Sequence, residues 1–268
     1  MLRYGLYCFV LFLSLSQISL SASAVERLAC AATFQTFLTN NSELSLSRKI
    51  NSWQGLKEKC RPAGYYYYRL SKFYLAASDL DNAKTSQQQG LKLGDDAYEY
   101  NELMGLEIEF NEISSKTLDD KGWPVLETTI QKYIDKHPDL GDAYALMSSV
   151  NLARRDYAAA VSNAEKAADL EGDISPALGR TLTIAYTWTK QYTKAINTGN
   201  NASAMADDLI ADKYFMLALM RAYVGNNEVD KAMSTFNLLI TTTPGVKSDA
   251  DVQRYSRILK RLLRGSGK

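Results

Sequence analysis

The sequence has only one histidine, His137, and none of the short motifs that mark common catalytic sites. Most nucleophile–base pairs and many zinc sites depend on histidine. HExxH, GxSxG and a glycine-rich phosphate loop do not occur in the sequence either. Glutamates cluster between residues 99 and 112, a pattern typical of a solvated helix face. We therefore expect no enzymatic activity and no metal or other cofactor.

Long uncharged runs are lacking except at the N-terminus. Residues 4–20 are uncharged and mostly apolar, follow Arg3 and precede the small residues of SASA at 21–24. This pattern predicts a signal peptide over residues 1–24. An uncleaved anchor is the alternative, but the serine-rich second half and Gln17 disfavour it. We expect an exported protein, periplasmic or as second choice secreted, with no integral membrane segment after cleavage.

Neither sign of charge is in excess. Without residues 1–24, the remaining 244 residues carry 30 basic and 30 acidic side chains. A protein that binds nucleic acid over much of its surface needs a positive excess. We therefore expect no nucleic-acid partner.

Cysteine is scarce. Cys8 lies in the predicted signal peptide, which leaves Cys30 and Cys60. An even number of cysteines in an oxidising compartment favours a disulfide. A free thiol or a metal site is the weaker alternative, because zinc needs more ligands than two cysteines.

The chain instead contains an internal repeat. In each copy, a large apolar or aromatic residue lies three positions before a small or apolar one. The five segments are SDLDNA (78–83), KGWPVL (121–126), RDYAAA (155–160), KQYTKA (190–195) and NEVDKA (227–232). The second members of the pairs are 43, 34, 35 and 37 residues apart. A period near 34 indicates an array of helix–turn–helix units.

The repeat resembles the tetratricopeptide repeat (TPR) family, whose pattern is W-x2-L-G-x2-Y, then A-x3-F, then P. Residues 143–172 match best, whereas Ser148, Asn151 and Gly172 depart from the pattern. The matching positions are Tyr144, Met147, Ala160, Ala164 and Ala167, together with the small Ser148. The resemblance implies an all-α fold, a right-handed α-solenoid of about five TPR-like helix pairs. The predicted repeats cover residues 64–95, 97–139, 141–172, 176–207 and 213–244, and the second contains an insertion at 109–120.

Helical caps are predicted at both ends of this solenoid, which spans residues 63–245. Residues 25–62, with the Cys30–Cys60 disulfide, form the N-terminal cap, and residues 246–268 form a C-terminal capping helix and basic tail. Terminal repeats need a polar outer surface. A basic amphipathic helix that lies on an acidic membrane or partner is the alternative for the C-terminal segment.

The resemblance also implies a binding surface, because the first helices of successive TPR units line a concave face that commonly holds a peptide or a partner helix. The positions that carry over are Tyr65, Tyr68, Lys72, Tyr98, Asn101, Ser149, Arg180, Trp188, Tyr214 and Arg221. We expect a protein-binding scaffold or adaptor of the bacterial cell envelope, whose partner is an envelope protein or peptide. Carbohydrate or peptidoglycan binding, with tyrosines stacked on sugar rings, is the alternative. No pattern predicts the oligomeric state.

Four consecutive tyrosines begin the first repeat. Successive helical residues are about 100° apart, so the four rings cannot share one face. We predict that Tyr67 and Tyr74 pack in the core with Leu70, and that Tyr65 and Tyr68 lie on the concave surface.

Overall fold

A computed structural model describes residues 22–41, 43–61, 63–115 and 121–266. Residues 1–21 of the predicted signal peptide lie outside this range, so that prediction is untested. Within the described ranges the regular structure is helical, and no strand occurs. Contacts divide the chain into an N-terminal unit, Met1–Met104, and a C-terminal unit, Gly105–Lys268.

The described part of the N-terminal unit contains four α-helices and the start of a fifth. They are α1 (Ala22–Asn40), α2 (Leu46–Gln54), α3 (Gly64–Ala76), α4 (Leu80–Leu93) and α5 (Tyr98–Ser114), which ends in the next unit. A disulfide joins Cys30 of α1 to Cys60, with the two Cα atoms 4.6 Å apart. The bond ties α1 to the short helical turn Lys57–Cys60 that precedes α3.

Eight further α-helices lie in the described residues of the C-terminal unit. They are α6 (Gly122–Lys136), α7 (Gly141–Ala153), α8 (Tyr157–Glu171), α9 (Pro176–Trp188), α10 (Tyr192–Met205), α11 (Lys213–Gly225), α12 (Val229–Thr242) and α13 (Ala250–Ser266). Helices α7 and α8, α9 and α10, and α11 and α12 pack as pairs. Helix α13 packs against α12 with Val252 and Leu259 buried.

The helix pairs recur at the spacing of the sequence repeat. Their first helices begin at residues 64, 98, 141, 176 and 213. Four of these helices have 13 residues, whereas α5 has 17. The predicted insertion at 109–120 accounts for the extra length of α5 up to Ser114, and its residues 116–120 lie outside the described part of the chain.

The same backbone turn joins the two helices of four pairs. One residue in each turn has a left-handed φ of 60° to 64°, namely Ser78, Arg155, Lys190 and Asn227. The next residue donates its N–H over 2.8 to 2.9 Å to a carbonyl five residues earlier, which satisfies an end of the first helix. A non-glycine residue in this conformation costs free energy, so the turn is held by the packing of the two helices.

The second members of the sequence pairs lie where paired helices approach closely. All five are 0% exposed: Ala83, Leu126, Ala160, Ala195 and Ala232. They are the fourth or fifth residue of the second helix of each pair. The repeated motif is therefore a packing signal, since each copy places a fully buried residue near the start of the second helix.

An aromatic cluster forms the core of the N-terminal unit. Trp53 is 0% exposed and its ring stacks on Tyr66 with centroids 5.5 Å apart. Phe34 and Phe37 of α1 meet the same indole edge to face at 5.1 and 5.4 Å. These contacts place α1 and α2 against α3. Burial raises the pKa of Tyr66 to about 12.

The predicted division of the four tyrosines was wrong. Tyr65 and Tyr68 are 7% and 1% exposed, whereas Tyr67 and Tyr74 are only half-buried. The rings of Tyr65 and Tyr68 lie 6.1 and 5.4 Å from that of Tyr100 in α5. Helix α5 therefore covers the side of α3 that was expected to face a ligand.

Candidate functional site

The exposed side of α7, α9 and α11 in the C-terminal unit is the candidate site. We call it the first-helix face, and it is formed by Ser149, Arg180, Trp188, Tyr214 and Arg221. Helix α9 packs against both α7 and α11, so the exposed residues of the three helices lie side by side. On α9 and α11, residues four apart share a side of the helix and project in the same direction.

Trp188 is the largest side chain of the first-helix face. It is the last residue of α9 and is 44% exposed. Its ring stacks on Tyr157 of α8, with centroids 5.2 Å apart and planes 9° apart. The guanidinium carbon of Arg221 lies 4.1 Å from the indole centroid. Residues from the preceding and the following helix pair thus hold this exposed indole in one orientation.

Tyr214 is the second exposed aromatic residue of the face, at 61% exposure. The ammonium nitrogen of Lys213 lies 4.5 Å from its ring centroid. Lys213 also donates a 2.7 Å hydrogen bond to Asp249, which raises the pKa of the lysine and lowers that of the aspartate. This ion pair positions Lys213 beside the Tyr214 ring.

Arg180 lies at the other end of α9 and is ion-paired. Its Nε donates a 2.6 Å hydrogen bond to Asp212, which also accepts from the backbone N–H of Phe215 at 2.9 Å. Asp212 thereby caps α11 and holds Arg180 at the same time. Since the carboxylate compensates its charge, Arg180 borders the face and positions α9 relative to α11.

Apolar side chains lie between the polar and aromatic residues at the two ends of α9 and of α11. Ile184 is one turn from both Arg180 and Trp188, and Leu217 is one turn from both Tyr214 and Arg221. Ile184 and Leu217 are 8% and 7% exposed, so they form a floor rather than projections. On α7, Ser149 is half-buried and donates to the carbonyl of Ala145 at 3.1 Å. The face therefore combines a flat floor of small and aliphatic residues with projecting aromatic and cationic groups.

The predicted site residues of the N-terminal unit mostly lie elsewhere. Tyr65 and Tyr68 are corrected to core positions, because Arg69 covers both rings at 4.8 and 5.1 Å in addition to α5. Lys72 is half-buried over Tyr68, with its nitrogen 5.4 Å from the ring centroid. Among the predicted residues of this unit, Tyr98 is the exposed one, at 41%.

Asn101 was also predicted on the surface, and the structure corrects this as well. It is 0% exposed, and its Nδ2 donates to the carbonyls of Ala97 at 2.9 Å and Gly64 at 3.2 Å. A Cβ atom on Gly90 would collide with the Asn101 amide. The asparagine therefore joins the starts of α3 and α5, and the glycine leaves space for it.

Tyr157, Ile184 and Leu217 were not predicted as site residues. Tyr157 was recognised as the large member of a repeat pair, which indicates packing and not exposure. Its stacking partner Trp188 is 31 residues away, so the contact depends on how adjacent repeats pack. A spacing of four residues with Arg180 and Trp188 is the signal that places Ile184 on the face.

The residues that the structure describes include no group of three or more His, Cys, Asp or Glu side chains that could hold a metal ion. A search of the described helices for segments long and apolar enough to cross a membrane finds none.

Comparisons with known proteins identify the fold. The Cut9 and Hcn1 hetero-tetramer of APC/C is similar at 14% identity with a TM-score of 0.59, over 81% of this chain and 39% of that one. Yeast Tom70 is similar at 14% identity with a TM-score of 0.51, over 85% of this chain and 46% of that one. A thermophilic TPR protein of Thermus thermophilus matches at 16% identity with a TM-score of 0.45, over 74% of this chain and 98% of that one.

The chain has the all-α helical-repeat fold of the tetratricopeptide repeat proteins. It spans less than half the length of the Cut9–Hcn1 and Tom70 chains that it matches. No protein-family model and no curated protein matches the sequence. The hand of the array stays a prediction.

Proposed function

We propose that the chain is a non-enzymatic protein-binding scaffold whose first-helix face holds a segment of a partner protein. The observation that carries the proposal is the exposed Trp188, which Tyr157 and Arg221 keep in one orientation. Tryptophan, tyrosine and arginine are the residues that most often dominate binding energy at protein interfaces. A side chain that is already ordered loses less conformational entropy when a partner binds.

The shape and chemistry of the face favour an extended peptide or a single helix. The floor at Ile184 and Leu217 suits an apolar side chain of the ligand, and the exposed Tyr214 and Trp188 suit contacts on either side of it. Arg221 offers a cation beside the indole for a ligand carboxylate or carbonyl. The TPR fold is consistent with this use, since such arrays present extended surfaces to partners.

A peptide-binding experiment tests the proposal. Peptides selected against the purified chain by display are measured against the wild type, Trp188→Ala and the control Leu238→Ala. Leu238 is 41% exposed on α12, away from the first-helix face. Loss of an aromatic anchor predicts at least about a tenfold weaker Kd for Trp188→Ala. The control is expected to change Kd less than about twofold. Equal Kd values for Trp188→Ala and the wild type would contradict the proposal.

We also propose that the scaffold acts in the bacterial cell envelope, with an envelope protein as its partner. The N-terminal sequence pattern and the Cys30–Cys60 disulfide favour an oxidising compartment outside the cytoplasm. Cell fractionation followed by N-terminal sequencing tests this, and the expected mature N-terminus is Val25. Recovery of the full-length chain with Met1 in the cytoplasm would contradict it.

Carbohydrate binding is the outcome that would replace the scaffold proposal. Tyr65 and Tyr68 are buried, so among the predicted aromatic positions Tyr98, Trp188 and Tyr214 are the ones exposed for stacking on a sugar ring. A glycan array probed with the same variants distinguishes the two functions. Retention of a glycan that is lost in Trp188→Ala, without any selected peptide, would favour the carbohydrate function.

A further inference from the structure

Helix α13 has two chemically different sides. Val252 and Leu259 are buried against the rest of the C-terminal unit, near Phe236 and Ile240 of α12. The basic residues of the helix are all exposed: Arg254, Arg257, Lys260, Arg261 and Arg264. The predicted cap and the predicted basic amphipathic helix are therefore one element, whose apolar side is already packed.

The five basic residues form one stripe, which we call the basic stripe. At about 100° per residue, the four arginines fall within an arc of about 80°, and Lys260 widens it to about 120°. Along the axis, the stripe extends from Arg254 to Arg264, about 15 Å at 1.5 Å per residue. One flat surface can meet all five side chains at once.

Internal ion pairs do not account for the basic stripe. Over the described residues, none of its five side chains forms an ion pair or a hydrogen bond. Residues 250–268 carry six basic side chains and a single acidic one, Asp251, whereas residues 1–249 carry 25 basic and 29 acidic ones. The nearby Asp249 is paired with Lys213. The positive charge is thus concentrated on one helix and left for an external anion.

We propose that the basic stripe docks the chain on an anionic phospholipid surface. A specific protein interface centres on a buried aromatic or aliphatic anchor, and the arc of the stripe contains no such residue. A layer of anionic headgroups needs no anchor, because each lysine or arginine near it adds about the same attraction. Arginine, which supplies four of the five cations, also binds phosphate through two parallel hydrogen bonds.

The proposal predicts mainly electrostatic binding. Val252 and Leu259 on the apolar side of α13 are buried, and Leu263 is its exposed large apolar residue at 37%, so little of this helix is left to insert between acyl chains. Binding should therefore weaken steeply with salt, unlike that of helices that bury an apolar face in the membrane. This surface is separate from the first-helix face, so the two functions can fail independently.

Vesicle sedimentation of the mature chain, residues 25–268, tests the proposal. Vesicles of phosphatidylcholine with about 30 mol% phosphatidylglycerol are compared with phosphatidylcholine alone, at about 50 and 300 mM NaCl. The test variant is Arg257→Gln, Arg261→Gln and Arg264→Gln combined. The control, Lys132→Gln, Lys166→Gln and Lys190→Gln, removes the same charge from three exposed positions outside α13. Circular dichroism and the Tm confirm that both variants fold.

The wild type should bind the anionic vesicles at low salt and release them at high salt. At about fivefold per residue, the α13 variant should bind about a hundredfold more weakly, while the control stays close to wild type. Equal losses of vesicle binding in the two variants would show that binding depends only on the net charge of the chain, and would overturn the proposal. Wild-type binding to an acidic polypeptide without binding to anionic vesicles would overturn it in favour of a protein partner.

Discussion

Trp53 in the N-terminal unit and Trp188 in the C-terminal unit lie in opposite environments. In the N-terminal unit, Trp53 is 0% exposed among Phe34, Phe37 and Tyr66. In the C-terminal unit, Trp188 is 44% exposed and stacks on the ring of Tyr157. The aromatic-rich segment of the sequence is thus core, and the sparser one provides the candidate site.

Neighbouring helices explain the difference. Helix α1 is tied to the turn before α3 by the disulfide. Its Arg27 donates a 2.8 Å hydrogen bond to the carbonyl of Asp96, just before α5, and pairs with Glu99 of α5 at 3.2 Å. In the C-terminal unit, the described residues include no comparable helix over α9 and α11. Exposure of an aromatic residue in a repeat depends on what flanks the repeat, more than on its motif position.

The largest expected effect is the difference in the free energy of unfolding between variants of Trp53 and Trp188. Trp53→Ala should lower the free energy of unfolding by about 3–5 kcal/mol, because it removes the centre of a packed aromatic cluster. Trp188→Ala should cost less than about 1 kcal/mol, since its ring is half in solvent. Chemical denaturation followed by circular dichroism measures both. Similar losses for the two variants would break the comparison.

The disulfide is expected to matter only to the N-terminal unit. Cys30→Ser with Cys60→Ser opens a loop of about 30 residues and should cost about 3.5 kcal/mol by the chain-entropy model. Hydrogen exchange should quicken in α1 and α3, with α9 and α11 unchanged. Faster exchange in α9 as well would mean that the disulfide stabilises more than its own unit.

Packing of the repeat alanines is the next test. Ala160 is 0% exposed, whereas Ala158 is exposed on the same helix. Ala160→Leu should lower the free energy of unfolding by about 1–3 kcal/mol through overpacking. Ala158→Leu, its control, should stay within about 0.5 kcal/mol. Equal effects would show that the motif position is not at the helix contact.

The smallest effect concerns a feature that both units share. Ser78 and Lys190 adopt left-handed φ values of 60° and 62° in equivalent turns. Ser78→Gly and Lys190→Gly should each relieve strain and raise the free energy of unfolding by about 0.5–1 kcal/mol. The Tm reports the gain. A rise in one variant and a fall in the other would show that the two turns are not equivalent.

The repeat was predictable because its signal is local. The spacing of Ala160 from Tyr157, and the same pattern in the other copies, indicated the start of each second helix. Which of the tyrosines are buried was not predictable, because their burial depends on contacts between residues distant in sequence. Arg27 and Asp96 are 69 residues apart, and Tyr65 and Tyr100 belong to different repeats.

The candidate site was predicted only in part, because some of its residues follow from the local repeat pattern and others depend on contacts between repeats. Trp188, Tyr214 and Arg221 follow from motif positions that no additional helix covers in the described C-terminal unit. The support of Trp188 by Tyr157 depends on the packing of adjacent pairs, which motif spacing does not encode.

Hydroxyl-radical footprinting tests the central claim most directly. The free chain and its complex with the tightest selected peptide are oxidised, and labelling is read by mass spectrometry. We expect Trp188 and Tyr214 to be labelled in the free chain and protected in the complex, while Tyr65 and Tyr68 resist labelling in both. Labelling of Tyr68 as strong as that of Tyr214, with protection on binding, would contradict the account.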